Sequence, residues 1–131
     1  MQAYRKIVIL LIELRAVALV PPKLAYTHDH QRMDLNAWFQ SLKSKSGASC
    51  CDGGEAEHAE AKWDMAKSGY KVLLKNPTKP NEPGQWFDVP DVSIVEQPNL
   101  NGIAMVWRYP SYGTDGKMTP VLRCFIPGAG G

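Results

Sequence analysis

Two short stretches carry most of the side chains that could do chemistry. The first is His28-Asp29-His30, two imidazoles and a carboxylate in three positions. Imidazole suits Cu(II), Ni(II) and Zn(II). A cut after Thr27 would add a free amine to the same donor set. Copper or zinc, held by His28 and His30, is therefore the cofactor this motif would take, and periplasmic metal handling is the function it would serve. His58 is the only other histidine. With no further ligand near in sequence, a polar terminus that binds metal only adventitiously is the simpler account.

The second stretch is Cys50-Cys51, with Cys124 as the third cysteine of the chain. Adjacent cysteines rarely bond each other, because the small ring strains the intervening peptide. The expected arrangement is one bridge, Cys50 or Cys51 with Cys124, and one spare thiol. Closing a loop of about seventy residues contributes ~4 kcal/mol in the chain-entropy model. The alternative is a thiol-reactive redox protein. No Cys-x-x-Cys is present, and no basic residue lies close in sequence to the Cys50-Cys51 pair to activate a vicinal thiol. Three cysteines with one histidine between them also miss the spacing of a zinc site.

Other constellations are weaker. Asp88 and Asp91 flank Val89-Pro90 and could pair as carboxylates, but Asp and Pro together read as turn formers. There is no Gly-x-Ser-x-Gly, Walker loop, Gly-x-Gly-x-x-Gly or His-Glu-x-x-His. No catalytic residue is assigned, and the reading leans away from an enzyme. Binding would reside on loops. The candidates are the Pro-rich stretch 76–84 and the loop 110–120, with Tyr109 and Tyr112 as surface aromatics. Trp86 and Trp107 read as core.

Composition bounds the partners. The chain has 131 residues, 44% of them hydrophobic, enough for one packed domain. Arg5, Lys6, Arg15 and Lys23 against Glu13 give residues 1–27 a net +3. Residues 28–131 keep 11 basic and 12 acidic side chains, a net −1. A nearly neutral domain has no basic footprint for nucleic acid. Lys43 and Lys45 read as a solvated helix end.

The elements that must position these residues follow in order. Residues 1–27 read as a signal peptide or membrane-targeting leader. Arg5-Lys6 precede the apolar run Ile7–Ile12, and Pro21-Pro22 end it. Glu13, Arg15 and Lys23 are atypical for such a leader, and no stable membrane span is expected after cleavage. Residues 28–131 form a single small globular domain. Met33–Lys43 is an amphipathic helix with Leu35, Trp38, Phe39 and Leu42 on one stripe and Asp34 as its N-cap. Residues 55–65 contain good helix formers, yet Ala61, Trp63 and Met65 alternate with polar neighbours. We read a hairpin turning at Lys67-Ser68-Gly69 into Tyr70–Leu74. Further strands are expected at 85–90, 103–109 and 121–126, with an extended piece at 92–95. The fold class is α+β. One N-terminal helix packs on a small, curled, barrel-like antiparallel sheet of about five strands, stapled by a disulfide.

Taken together, His28-Asp29-His30, the Leu35–Leu42 helix, Cys50-Cys51-Asp52, Gln85-Trp86-Phe87-Asp88-Val89-Pro90, Pro98-Asn99, Val106-Trp107 and Arg123-Cys124-Phe125-Ile126-Pro127-Gly128 form a recognisable pattern. It resembles a group of small exported proteins of rhizobia and related alphaproteobacteria. The likeness covers most of residues 28–131. It implies export to the periplasm or medium, a mature start near His28 and paired cysteines. It also favours the hairpin over a helix at 61–74. It carries over no catalytic residue. The expected role is a binding or structural module, with an envelope or extracellular protein or a glycan as partner.

Overall fold

The computed structural model describes residues 32–51, 55–109 and 111–130. The leader and the His28-Asp29-His30 motif lie outside them. The apolar stripe builds the first described element. A 3-10 turn, Met33–Leu35, runs into helix α1, Asn36–Ser41. Phe39 and Leu42 are fully buried, and Leu35 and Trp38 pack against the same cluster. The helix is shorter than expected, because Lys43 already forms a β-bridge with Ser49. Asp34 does not cap it. The Asp34 carboxylate instead accepts from Nε and Nη2 of Arg32 at 3.0 and 2.9 Å. A two-pronged, charge-assisted pair outweighs one bond to a backbone N–H.

Among the described residues six strands follow: β1 Ala56–His58, β2 Glu60–Asp64, β3 Gly69–Leu74, β4 Gln85–Asp88, β5 Met105–Tyr109 and β6 Val121–Ile126. They form two antiparallel sheets, in the orders β1-β5-β6 and β2-β3-β4. The expectation of one curled sheet is corrected here. Residues 56–64 serve both sheets, and Ala59 is the corner between them, its N–H bonded to the Ala104 carbonyl at 2.9 Å. A chain that switches sheets at a bend turns a corner without a separate loop. The ambiguous stretch is strand, since Ala61 sits opposite Val72 and Trp63 opposite Tyr70. Cross-strand packing overrides the helix propensity of its Glu and Ala residues.

Alternation along β5 and β6 creates three layers. Met105, Trp107, Cys124 and Ile126 join Phe39 and Leu42 beneath α1. Val106, Leu122 and Phe125 face the other way and meet Val72 and Leu74 of β3. The register shifts between Trp107 and Arg108. Arg123 has no opposite residue at that bulge, and its Nε donates to the Ser49 carbonyl. The expected extended piece at 92–95 is divided: its first half belongs to a 3-10 turn, Asp91–Ser93, and only Ile94 and Val95 are paired as extended chain. Ile94 then bridges Phe125, and the Val95 N–H bonds the Phe125 carbonyl at 2.8 Å.

The disulfide joins Cys50 to Cys124 across a sequence separation of 74, with Cα atoms 5.6 Å apart. Cys50 lies fully inside the cluster beneath α1, whereas Cys51 is half-buried and its Sγ donates to the Phe39 carbonyl at 3.1 Å. Among the described residues, no helix is long and apolar enough to cross a membrane.

Candidate binding cleft

Tyr109 is not a loop residue. It closes β5, half-buried, and its hydroxyl accepts from Nη1 of Arg123 at 3.4 Å. Tyr112 is exposed, bridges Met118, and donates to Asn76 Oδ1 at 3.4 Å. The two loops named from sequence therefore do meet. The hollow between them is small, about 170 Å³, and its rim carries Lys79, Glu82, Asp115 and Lys117.

The tryptophans divide differently from the expectation. Trp107 is fully buried, as read. Trp86 is 37% exposed on the outer face of its sheet, with the Lys62 ammonium 4.1 Å from its ring centre. Position 86 alternates with Phe87, which takes the core side opposite Val72.

The aspartates are ion-pair members rather than turn caps. Asp88 binds Lys67 at 2.6 Å and Lys71 at 3.3 Å, and Asp91 binds Lys45 at 2.7 Å. No side-chain cap closes the 3-10 turn at Asp91. Lys45 is thus a tie between segments, not only a solvated helix end. The hydrogen bonds from Lys67 and then Lys71 hold the Asp88 carboxyl below its ordinary value. The Asp88 bond raises Lys67 in turn, and the Asp91 bond raises Lys45 against the smaller opposing effect of desolvation.

A further cleft, not among the sequence candidates, lies beside Trp63. It encloses about 780 Å³, within the usual range for small-molecule sites. It is lined by the β2–β3 hairpin around its turn, residues 89–99, the end of β6 with residues 127–129, and Lys45. Tyr70, Val89, Ile94, Val95 and Ile126 give it apolar walls, and Trp63 stands at its edge. Trp63 lies on the core-facing side of β2, beside Tyr70, yet is 46% exposed. Its ring meets Tyr70 edge-on, with centres 4.9 Å apart and an angle of 81°. Tyr70 in turn packs on Phe125 at 5.2 Å.

The polar lining separates into used and unused groups. Asn99 donates to the Ile103 and Pro127 carbonyls, both at 2.8 Å, and accepts from the N–H groups of Asn101 and Gly102. Gln97 accepts from the Lys43 N–H at 3.0 Å and donates to the Ser41 carbonyl at 3.3 Å. Both carboxamides are structural. Among the described residues, neither the Trp63 indole N–H nor the Tyr70 hydroxyl is committed to a hydrogen bond.

The alternation Ala61-x-Trp63 puts the indole on the apolar face of β2, but its place in a cleft depends on residues 89–99 and 126–129 meeting it in space. Among the described residues, no cluster of three or more His, Cys, Asp or Glu side chains is arranged to hold a metal ion. Comparison of the chain with protein-family models, curated proteins and solved structures finds no match.

Proposed function

We propose that the protein is a non-catalytic binding module of the periplasm or cell exterior, and that it binds through the cleft edged by Trp63. The observation that carries this reading is the cleft itself. It combines apolar walls, an exposed aromatic ring and two uncommitted donors on a disulfide-stapled scaffold. A half-exposed tryptophan on the core-facing side of a strand costs solvation that a ligand would recover. The export assignment draws on the Cys50–Cys124 bridge, since disulfides persist in oxidising compartments. The leader pattern of residues 1–27 points the same way.

Two measurements test it. The intact mass of protein recovered from the periplasm or medium should show a chain starting near His28, with one bridge and one free thiol. A full-length chain with three thiols would sink the export assignment. Copper or zinc retained on a chain starting at His28 would instead put metal handling by His28 and His30 first. In the second measurement, amide NMR spectra are recorded against a collection of small polar and aromatic fragments. Shifts should concentrate at Trp63, Tyr70, Val95 and Ile126. Shifts confined to the 76–84 and 110–120 loops would move the site there.

A further inference from the structure

We infer that the ligand is a neutral glycan, with one sugar ring laid against the Trp63 indole. This rests on the reading of the cleft as the binding site and specifies its ligand class. Charge is the first argument. The charged groups lining the cleft balance, Lys45 and Lys67 against Asp91 and Glu96. Both lysines are already engaged, Lys45 with Asp91 at 2.7 Å and Lys67 with Asp88 at 2.6 Å. An ionic ligand would have to compete with these pairs for one partner, whereas a neutral ligand leaves them whole.

The aromatic ring is the second argument. The Trp63–Tyr70–Phe125 contacts brace the indole from the core side, so little freedom is lost when its exposed surface is covered. The C–H face of a pyranose carries slight positive charge and is apolar. It therefore matches the electron-rich face of an indole.

Hydrogen bonding is the third argument. The Trp63 N–H and Tyr70 O–H can donate, and the exposed Glu96 and Asp91 carboxylates can accept. A sugar hydroxyl both donates and accepts, so it can meet groups of either kind. A purely aliphatic ligand would strip water from these groups and return no bond. An extended peptide pairs best with a free strand edge. The walls facing Trp63 offer no continuous strand: 67–68 is turn, Ile94 makes a single β-bridge before the coil and bend at 95–97, and 127–129 is coil and turn.

The test titrates the bridged protein with chitohexaose, cellohexaose and maltohexaose, read by tryptophan fluorescence and amide NMR. N-phenyl-1-naphthylamine serves as an apolar aromatic probe of the cleft. At least one hexasaccharide should bind saturably. Trp63→Ala should weaken that binding by about tenfold or more, the scale of a lost aromatic stack. Tyr70→Phe, which removes only a hydroxyl, should weaken it by roughly threefold or more. Trp86→Ala, on the opposite face of its sheet, should leave it unchanged. Suppose no sugar binds while the naphthylamine binds in a Trp63-dependent way. The glycan assignment then fails and the cleft remains the site. If neither probe binds, both readings fall. Sugar binding that survives Trp63→Ala but is lost in Trp86→Ala also overturns the assignment.

Discussion

Asn99 does more for this fold than its side-chain size suggests. Its carboxamide makes four bonds, two given and two received, and they tie the turn at 99–103 to Pro127 on the cleft wall. The turn needs that support, because Gly102 sits at φ +79, a backbone region closed to most side chains. Asn99→Asp keeps the shape and the two acceptor bonds. It replaces the donating NH₂ by an oxygen facing two carbonyls. We expect a loss of roughly 2–4 kcal/mol in urea unfolding at neutral pH. Asn99→Ala should cost somewhat less, because it leaves the carbonyls unmet without adding repulsion. A midpoint unchanged in both variants would show that water replaces these bonds without loss. Nothing local in the sequence marks Asn99 for this role, since its bond to Pro127 spans a sequence distance that no local pattern encodes.

The β2–β3 hairpin is held at its turn by charge as well as by backbone pairing. Asp64 Oδ1 accepts the Ala66 N–H at 3.0 Å and shapes the turn. Lys67 reaches from the turn to Asp88 on β4, and Lys71 of β3 lies between Asp64 and Asp88 at 3.5 and 3.3 Å. Lys62 and Lys71 stand directly opposite each other, so the flanking carboxylates also relieve a like-charge pair. The pH dependence has a definite sign. The Asp88 carboxyl is lowered in the fold, so its stabilisation is present above the ordinary carboxyl value of 3.8 and is lost as pH falls through the lowered value. Lys67 is raised, so its contribution is complete below 10.5 and fades as pH climbs through the raised value. These groups are solvated and screened, so the effect is modest. Asp88→Asn should melt below the wild type at neutral pH. The gap should close once the solution is acidified below the carboxylate range, and it should narrow in high salt. A gap that persists in acid would mean that packing, not charge, is what the substitution disturbs.

Across the molecule, the disulfide joins the segment just after α1 to the strand that forms one edge of the first sheet. It spans the layer in which Phe39, Leu42, Trp107 and Ile126 are buried. Cys124→Ala should lower unfolding stability by about 2–5 kcal/mol, in line with the loss of a bridge closing a long loop. Cys51→Ala keeps the bridge and removes one weak bond to the Phe39 carbonyl. It should stay within about 1 kcal/mol of wild type in the same assay. Its intact mass after alkylation should show no free thiol. An alkylated Cys51→Ala protein would mean that the bridge is not formed in solution.

The local parts of this architecture were legible in the chain. The spacing of Leu35, Trp38, Phe39 and Leu42 predicts a helix with that buried side, and the fold follows it, because a helical stripe is complete within a few residues. The last strand runs over 121–126 as its apolar residues indicate, and the hairpin at 60–74 follows its alternation. Cysteine arithmetic narrowed the bridge to two choices. Only the packing of Cys50 beneath α1 decided between them, since neighbouring residues on an irregular segment have no fixed side. The division into two sheets at Ala59, the outward turn of Trp86 and the cleft at Trp63 belong wholly to the tertiary structure. Each depends on residues far apart in sequence meeting in space. A cleft in particular is the gap between elements, and no residue pattern within one element describes where its neighbours stop.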